Sequence, residues 1–281
     1  MTSTLREEAA PAASATLPDI APSASTSGQH DRVAVLGVGI SAVDMDTAIA
    51  LSDRLLRSEK RGYVCVTGVH GVMEAQSDTV LRETLNRSYM TVPDGMPTVW
   101  IGRLEGHSNM RRVYGPDYML KLCQSSVERR YRHFLFGGKE GVADRLSEVL
   151  KTRFPGLNVV GTYTPPFRKM TGEESDELAA LVARTKPDIF WVGLSTPKQE
   201  RFMAEYVGKL DVKLMVGVGA AFDIHTGGIK DAPDWIKNSG LQWLHRLLQE
   251  PRRLFRRYLF NNPRFVWKIG LHYLTASGRN P

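Results

Sequence analysis

The sequence predicts an α/β fold: a Rossmann-like, mainly parallel sheet covered by helices and followed by a basic, amphipathic helical appendage. Short apolar runs alternate with amphipathic stretches along most of the 281 residues, which is the pattern of strands joined by crossover helices. Glycine or aspartate follows many of these runs, as at the strand ends where such sheets bind ligands. The chain is long enough to bury one large core.

The expected elements follow one another in a regular order. They are strand VAVLG, a helix over 47–57, strand YVCVTG, a helix over 72–86, strands YMTV and FLFGG, a helix over 141–153, strand NVVG, a helix over 173–185, strand DIFWVGL, a helix that opens with PKQE, and strand KLMVGV. The strands are apolar nearly throughout, as expected for strands covered on both faces.

Composition divides the chain into three segments. Residues 1–31 are rich in Ala, Ser, Thr and Pro and lack the roughly 7 to 15 residue apolar stretch of a signal peptide, so we expect a disordered leader. Residues 32–235 form the α/β domain. Residues 236–281 hold nine Lys and Arg but one acid, and this appendage supplies the net charge of +7. Cys65 and Cys123 lie far apart without ligand-like neighbours, which argues for a cytoplasmic body without disulfides.

The appendage is patterned as an amphipathic helix. A helical projection places Arg252, Arg253, Arg256 and Arg257 on one side and Leu254, Phe255, Tyr258 and Leu259 on the other. The apolar run over 265–274 is interrupted by polar residues and is shorter than the roughly 18 to 20 residues of a spanning helix. The pattern favours an anionic membrane surface as partner. A helix packed on the core with a solvated basic face is the alternative, and nucleic acid has no supporting motif.

Two familiar motifs receive other interpretations. The sequence GVGISA contains GxGxxA at Gly37 and Gly39, but the next strand ends without the acid that a dinucleotide site needs, so we predict a plain strand-to-helix turn. Asp44 and Asp46 match the DxD pattern of metal-dependent transferases, yet Asp46 is expected to cap the next helix. The sequence predicts no metal site and no cofactor.

Loops at three strand ends form the candidate site. PDGMP places Asp94 and Gly95 after YMTV, where a carboxylate can face a ligand, although ordinary turn chemistry is the alternative. FLFGGKEG and GLSTPKQE each place glycine before a helix, and backbone N–H groups at a helix start bind phosphate. Two such loops in one sheet indicate a diphosphate ligand.

A series of motifs extends this picture: PDGMP, RVYGPD, FLFGG, RFPGLNVVGTYTPPFR, VGLSTPKQE, GVGAAFDIHTGG, AP-x-W and GLQWLHRLLQEPRRLFRRY. In this order, over residues 33–265, they resemble the WecG/TagA/CpsF glycosyltransferases. The resemblance implies an inverting, metal-independent enzyme at the cytoplasmic membrane face. It would move a sugar, N-acetylmannosamine in the well-known family cases, from a UDP donor to a polyprenol-diphosphate-linked sugar.

The resemblance also implies roles for individual residues. Asp94 corresponds to the catalytic base and Thr67 to a second catalytic residue; an ionised carboxylate on a fixed turn suits a base. The expected substrate-binding residues are Gly95, His70, Gly137, Gly138, Gly193, Pro197, Gln199, Glu200, Phe222, Asp223, Arg252, Arg253, Arg256 and Arg257. For Glu200 an exposed helical position is the alternative, and for Asp223 a local role in ordering the following turn.

The chain departs from the family pattern near the presumed donor end. Asp231 stands where members usually have Arg, Gln242 where Glu is frequent, and TGVHG around Thr67 replaces a TxN-type sequence. Another UDP-hexose or a UDP-uronic acid is therefore open as donor, and so is homo-oligomer formation. A docking protein that binds nucleotide sugar without turnover is an alternative that Asp94 argues against. A dehydrogenase is another, and the missing ribose acid argues against it.

Overall fold

A computed structural model of the chain describes residues 30–277. The strands in this range are β1 Arg32–Val35, β2 Val38–Ser41, β3 Gly62–Thr67, β4 Met90–Pro93, β5 Arg132–Gly137, β6 Asn158–Tyr163, β7 Ile189–Gly193 and β8 Leu214–Gly217. The helices are α1 Met45–Leu56, α2 Val69–Glu74, α3 Thr79–Arg87, α4 Met96–Leu104, α5 Gly115–Arg129, α6 Val142–Arg153, α7 Gly172–Thr185, α8 Lys198–Tyr206, α9 Ala221–His225, α10 Asp234–Ser239, α11 Gln242–Gln249 and α12 Pro251–Ser277. The leader predicted for residues 1–31 lies almost wholly outside the described residues.

Six strands form one parallel sheet in the order β4-β3-β8-β7-β5-β6. Helices cover the sheet, so the predicted α/β class is confirmed. The register pairs Cys65 with Gly217 and Gly137 with Gly193. Because every strand points the same way, the loops after β3, β4, β7 and β8 meet at one edge.

The first predicted strand does not join this sheet. Residues of VAVLG form β1, which pairs antiparallel with β2 in a separate hairpin. Leu36 and Gly37 make the turn with φ values of 49° and 80°, as a two-residue hairpin turn requires. The prediction of a strand-to-helix turn at Gly37 is therefore wrong, and a second strand separates the turn from α1.

Two helix predictions also need correction. The helix expected over 72–86 is two helices, because Asp78 caps a new start: its carboxylate accepts a 2.9 Å hydrogen bond from the backbone N of Leu81. Asp44, and not Asp46, caps α1 by accepting a 2.8 Å bond from Thr47 N. The helices predicted over 47–57, 141–153 and 173–185 and the PKQE helix are confirmed within one or two residues at their ends.

The core fills both faces of the sheet. Buried apolar side chains of the strands pack against the covering helices on one side around Trp191 and on the other around Phe190. Leu254 and Phe265 of α12 are 1% and 4% exposed, so this helix is seated on the body. Cys65 and Cys123 are both buried and free.

Candidate active site

A cavity lies beyond the carboxyl ends of the central strands, between the α/β body and residues 236–277, which we call the C-terminal segment. Its lining includes body residues and residues of this segment: Thr67, His70, Asp94, Gly95, Gly138, Gly193, Gln199 and Asp223 from the body, and Gln242, Arg246, Arg253, Arg257 and Tyr258 from the segment. Most of the residues predicted for the site therefore meet at one place.

Asp94 directly follows β4 and is held by backbone groups. Its N–H donates to the carbonyl of Thr67 at 3.0 Å, and its Oδ1 accepts from Gly115 N at 3.3 Å. The side chain is one-third exposed, and Arg112 Nη2 lies 3.5 Å from Oδ1. The loop thus presents a carboxylate in a fixed position with lone pairs still open to the cavity.

Thr67 lies beside this carboxylate loop, at the end of β3. It is 3% exposed, and its Oγ1 has no hydrogen-bond partner among the described residues. An unpaired buried hydroxyl costs about 1 to 3 kcal/mol. A ligand in the cavity is the natural partner, because Thr67 belongs to the lining.

His70 connects the body to the C-terminal segment. Its Nδ1 lies 3.2 Å from Asn261 Nδ2. The amide donates this bond when the ring is neutral and carries its proton on Nε2. Burial, together with the Arg257 guanidinium, lowers the pKa of His70 to about 3. The ring is therefore neutral at pH 7, and part of its predicted substrate-binding role is taken by a contact within the protein.

The glycine loops are tightly packed against each other. Gly138 N donates to the carbonyl of Gly193 at 3.1 Å, so this N–H is not open to a phosphate as the sequence indicated. Gly137 has a φ of 129°, and a Cβ on it would lie 2.5 Å from Gly193 O. Gly138 and Gly193 still line the cavity, and a Cβ on either would collide with a packed side chain, that of Val142 or Phe222.

Side chains of the PKQE segment are buried behind the cavity wall and hydrogen-bond to it. Pro197 precedes α8 at the N-cap position. Gln199 is 2% exposed; its Oε1 accepts from Gly219 N at 3.0 Å and its Nε2 donates to Glu200 at 3.0 Å. Glu200 is 1% exposed, and burial raises the pKa of its carboxyl. The exposed alternative for Glu200 is therefore wrong, and a direct substrate contact stays a prediction.

Two residues of GVGAAFD take different positions. Phe222 is 1% exposed and packs under Gly193, where an added Cβ would lie 2.7 Å from its ring. Asp223 lines the cavity, and its backbone carbonyl accepts from Ile229 N at 3.1 Å across the glycine turn. Phe222 thus shapes the loop, while Asp223 is placed to meet a ligand.

The four arginines of the predicted basic face divide into two pairs. Arg253 and Arg257 line the cavity, although Arg253 is also exposed to solvent, whereas Arg252 and Arg256 are exposed and lie outside the cavity lining. The side of α12 that faces the body follows the i, i+3, i+4, i+7 spacing from Leu254 and includes Arg257. The arginines and the apolar residues keep the predicted positions around the helix, but the side that the body covers includes Arg257 and leaves Phe255 and Leu259 exposed, so it does not coincide with the apolar side.

Arg246 is a cavity residue that the sequence reading missed. Its side chain is 13% exposed and pairs with Glu250 at 2.6 Å, and Glu250 also pairs with Arg253 at 2.7 Å. The Nε atoms of Arg246 and Arg257 are buried and have no partner within residues 30–277. Helical spacing with Glu250 and Arg253 was the available signal.

Asp231 is engaged within the protein. It lies 2.7 Å from Lys237 Nζ and accepts from the Tyr114 hydroxyl at 2.8 Å. Burial opposes ionisation, but the bonds from Lys237 and Tyr114 lower the pKa of Asp231 below its ordinary value. The acid that replaces the family's usual arginine therefore has its charge compensated.

Two further findings concern metals and membranes. Among residues 30–277, His, Cys, Asp and Glu side chains do not come together in groups of three or more suited to a metal ion. In the same range, none of the helices combines the length and the apolar character needed to cross a bilayer.

The fold places a cavity lined by carboxylate and guanidinium side chains beyond the carboxyl ends of a parallel sheet, which is where α/β proteins bind their ligands. The sequence model of the WecG/TagA/CpsF glycosyltransferase family matches residues 33–279, so the chain belongs to this family and is a glycosyltransferase. It is similar to the N-acetylglucosaminyldiphosphoundecaprenol N-acetyl-β-D-mannosaminyltransferase of Bacillus spizizenii strain W23, with 28% identity over 79% of this chain and 84% of the relative. The enzyme of the same description from Bacillus subtilis strain 168 is 28% identical over 61% of this chain and 65% of the relative.

Proposed function

We propose that the enzyme moves a sugar from a UDP-sugar to a sugar linked to polyprenol diphosphate, with inversion and without a metal ion. The observation that carries the proposal is the shared cavity, which is lined by Asp94 from the body and by Arg246, Arg253 and Arg257 from the C-terminal segment. Both Bacillus relatives are named for an N-acetylglucosaminyl-diphosphoundecaprenol acceptor, which supports the acceptor class.

The chemistry assigns the proton to Asp94. The acceptor hydroxyl attacks the anomeric carbon, its proton passes to the Asp94 carboxylate, and the bond from that carbon to the β-phosphate oxygen breaks on the opposite face. A base held by backbone bonds meets the geometric requirement for this transfer. The backbone contacts with Thr67 and Gly115 supply that rigidity.

The arginines stabilise the negative charge that develops on the leaving UDP. Guanidinium groups bind diphosphate oxygens through charge-assisted hydrogen bonds, and preorganised donors at a leaving group stabilise the transition state. Arg246 and Arg257 each hold a buried Nε without a partner in the described chain. The unpaired Thr67 hydroxyl is a further donor for a sugar or phosphate oxygen.

The outer face of the C-terminal segment suits a membrane surface. Phe255, Phe260 and Trp267 are each at least half exposed and lie outside the cavity lining, and Arg252, Arg256 and Arg264 lie exposed among them. Aromatic and aliphatic side chains with interspersed cations bind the interface of an anionic bilayer. We therefore propose peripheral association with the cytoplasmic membrane face, where a polyprenol-linked acceptor is reached.

The test is release of UDP from a panel of UDP-hexoses, UDP-N-acetylhexosamines and UDP-hexuronic acids with an acceptor of N-acetylglucosaminyl-diphosphoryl-polyprenol, in the presence of EDTA. The hexuronic acids are included because the Asp231 carboxylate is paired with Lys237, so its charge does not by itself exclude a donor with a carboxylate. We expect turnover with one donor class and a loss of about 1,000-fold in kcat for Asp94→Asn, within the usual range for a general base. Asp234→Asn, an exposed acid on α10, is the control.

Turnover that requires a divalent metal, or that survives Asp94→Asn, would contradict the proposed mechanism. Binding of a nucleotide sugar without turnover by any donor would favour the docking-protein alternative.

A further inference from the structure

Arg112 contacts the loop of the catalytic base and the C-terminal segment at the same time. Its side chain is 9% exposed. On the body side, Nε donates to the backbone carbonyl of Asp94, and Nη2 lies 3.5 Å from the Asp94 carboxylate. On the other side, Nη1 donates to the carbonyl of Lys237 at 2.9 Å and Nη2 donates to Gln242 Oε1.

The orientation of the Arg112 guanidinium is fixed by stacking. Its Cζ lies 4.5 Å from the centre of the Tyr114 ring, and the ring hydroxyl is anchored on Asp231. Arginine presents its donors in a planar fork, so a rotation that improves contact on one side weakens contact on the other. The position of the C-terminal segment and the position of the Asp94 loop are therefore linked through one rigid group.

We propose that Arg112 is a positioning residue through which the seating of the C-terminal segment sets the geometry of the catalytic base. The proposal rests on the proposed function, because it takes Asp94 as the base. With the segment seated, Lys237 and Gln242 accept two of the guanidinium N–H bonds. With the segment displaced, those N–H groups lose both acceptors. They then donate to the Asp94 carboxylate as a bidentate pair and occupy the lone pairs that the acceptor hydroxyl needs.

Gln242 is the adjustable part of this contact. As a neutral amide, it accepts a hydrogen bond without competing for the charge of Arg112. A glutamate there would accept the same bond when its carboxyl is ionised and would lose one acceptor oxygen when the carboxyl is protonated. The two substitutions Gln242→Ala and Gln242→Glu therefore separate loss of the hydrogen bond from a change of charge.

Other charged and titratable groups around Asp94 define the background for a pH experiment. Tyr114, the N-cap residue of α5, and Tyr258 on α12 both interact with the charge of Asp94. Asp117, Asp231 and Lys237 lie around Tyr114 and Arg112 and form their own cluster. None of these groups changes in the Gln242 variants, and Gln242→Glu adds one carboxyl beside Arg112, so a difference between the pH profiles of the two variants reports on the bond from Arg112 to residue 242.

The experiment compares Gln242→Ala, Gln242→Glu and a matched control, Gln249→Ala, in the full chain. Gln249 lies on the same helix and also joins the segment to the body, through 3.0 Å bonds to the backbone of Lys230. We expect Gln242→Ala to lower kcat about tenfold, as for a small misplacement of a reacting group, with KM for the UDP-sugar within about twofold. Gln242→Glu should restore much of kcat near neutral pH, where the glutamate is ionised, and its kcat should fall towards that of Gln242→Ala as the introduced carboxyl is protonated at lower pH.

Hydrogen–deuterium exchange of residues 94–98 gives a measurement that does not depend on turnover. Faster exchange in Gln242→Ala but not in Gln249→Ala supports the coupling even if no UDP-sugar is a substrate, in which case only the proposed function fails. Unchanged kcat and exchange in Gln242→Ala would overturn the coupling. Equal effects in Gln249→Ala, or a Gln242→Glu profile identical to that of Gln242→Ala, would also overturn it, because they indicate simple loosening of the segment.

Discussion

The two faces of α12 use the same residue types for different purposes. On the inner face, Leu254 and Phe265 are buried in the body, and Arg257 between them lines the cavity. On the outer face, Phe260 and Trp267 are more than half exposed, and Arg256 is exposed although it directly precedes Arg257 in the chain. Two consecutive arginines of this helix therefore point to different surroundings: Arg257 to the cavity and Arg256 to the outer surface.

The two faces differ in whether their arginines are buried and in whether buried N–H groups have hydrogen-bond partners. The Nε of Arg257 is buried without a partner in the described residues, and burial lowers the pKa of this guanidinium, with Arg253 and Arg246 adding to the effect. Bringing cations together in a buried position is costly unless an anion joins them. We therefore propose that the inner face binds a small anionic ligand and that the outer face binds an extended surface.

Replacing Arg257 gives the sharpest contrast between the faces. We expect Arg257→Gln to lower kcat/KM for the UDP-sugar about 100-fold, as for the loss of one donor to a developing charge. The matched control Arg252→Gln should change it less than about twofold when activity is measured in detergent micelles, where membrane binding is not limiting. Equal losses in the two variants would show that the division between the faces is incorrect.

The sequence predicted the sheet better than the helix faces. Strands such as DIFWVGL are apolar throughout because they are covered on both sides, and this property is local. The ends of β3 and β4 then followed from the shared direction of parallel strands, which is why Thr67 and Asp94 were found together. The hairpin β1–β2 was missed because an isolated VAVLG does not specify its partner strand.

The rest of the site depended on tertiary packing. Projection on a helical wheel groups arginines by sequence position, but the body decides which side of α12 it covers, and it covers Arg257. Glu200 and Phe222 lie in family motifs, yet their burial beneath the loops follows from contacts across several strands. Arg112 and Arg246 were not predicted for the site, because their partners Gln242 and Glu250 become neighbours only when the C-terminal segment is seated.

The outer face is tested by a substitution that leaves the cavity intact. Trp267 is 68% exposed, so Trp267→Ser should not disturb the fold. If its ring enters the bilayer interface, its loss should weaken binding to vesicles containing phosphatidylglycerol about tenfold, since burying a large apolar side chain is worth about 1.5 to 3 kcal/mol. Phe167→Ser, an exposed aromatic of a body loop, is the control for sedimentation with vesicles. Unchanged binding in Trp267→Ser, or an equal loss in both variants, would contradict the assignment of the outer face.

The joint between the body and the inner face is expected to depend on pH through His70. Its pKa is lowered to about 3 in the folded protein, whereas an unfolded histidine titrates near 6.5. The unfolded chain therefore binds more protons below pH 6.5, and the stabilising contribution of neutral His70 is present above that pH and is lost as pH falls towards 3. Between pH 7 and 5.5 this amounts to about 1 kcal/mol in the free energy of unfolding.

The variant His70→Gln isolates this contribution, because glutamine can still accept a hydrogen bond from Asn261 but does not titrate. Chemical denaturation at pH 7 and pH 5.5 should show that the variant loses about 1 kcal/mol less than the wild type over this interval. Other buried histidines, such as His133 with its pKa lowered to about 3 by burial, contribute equally to both proteins and cancel in the comparison. His272→Gln, at an exposed position of α12, should keep the wild-type dependence. A His70→Gln curve parallel to that of the wild type would mean that the inner face of α12 leaves the His70 ring accessible to protonation.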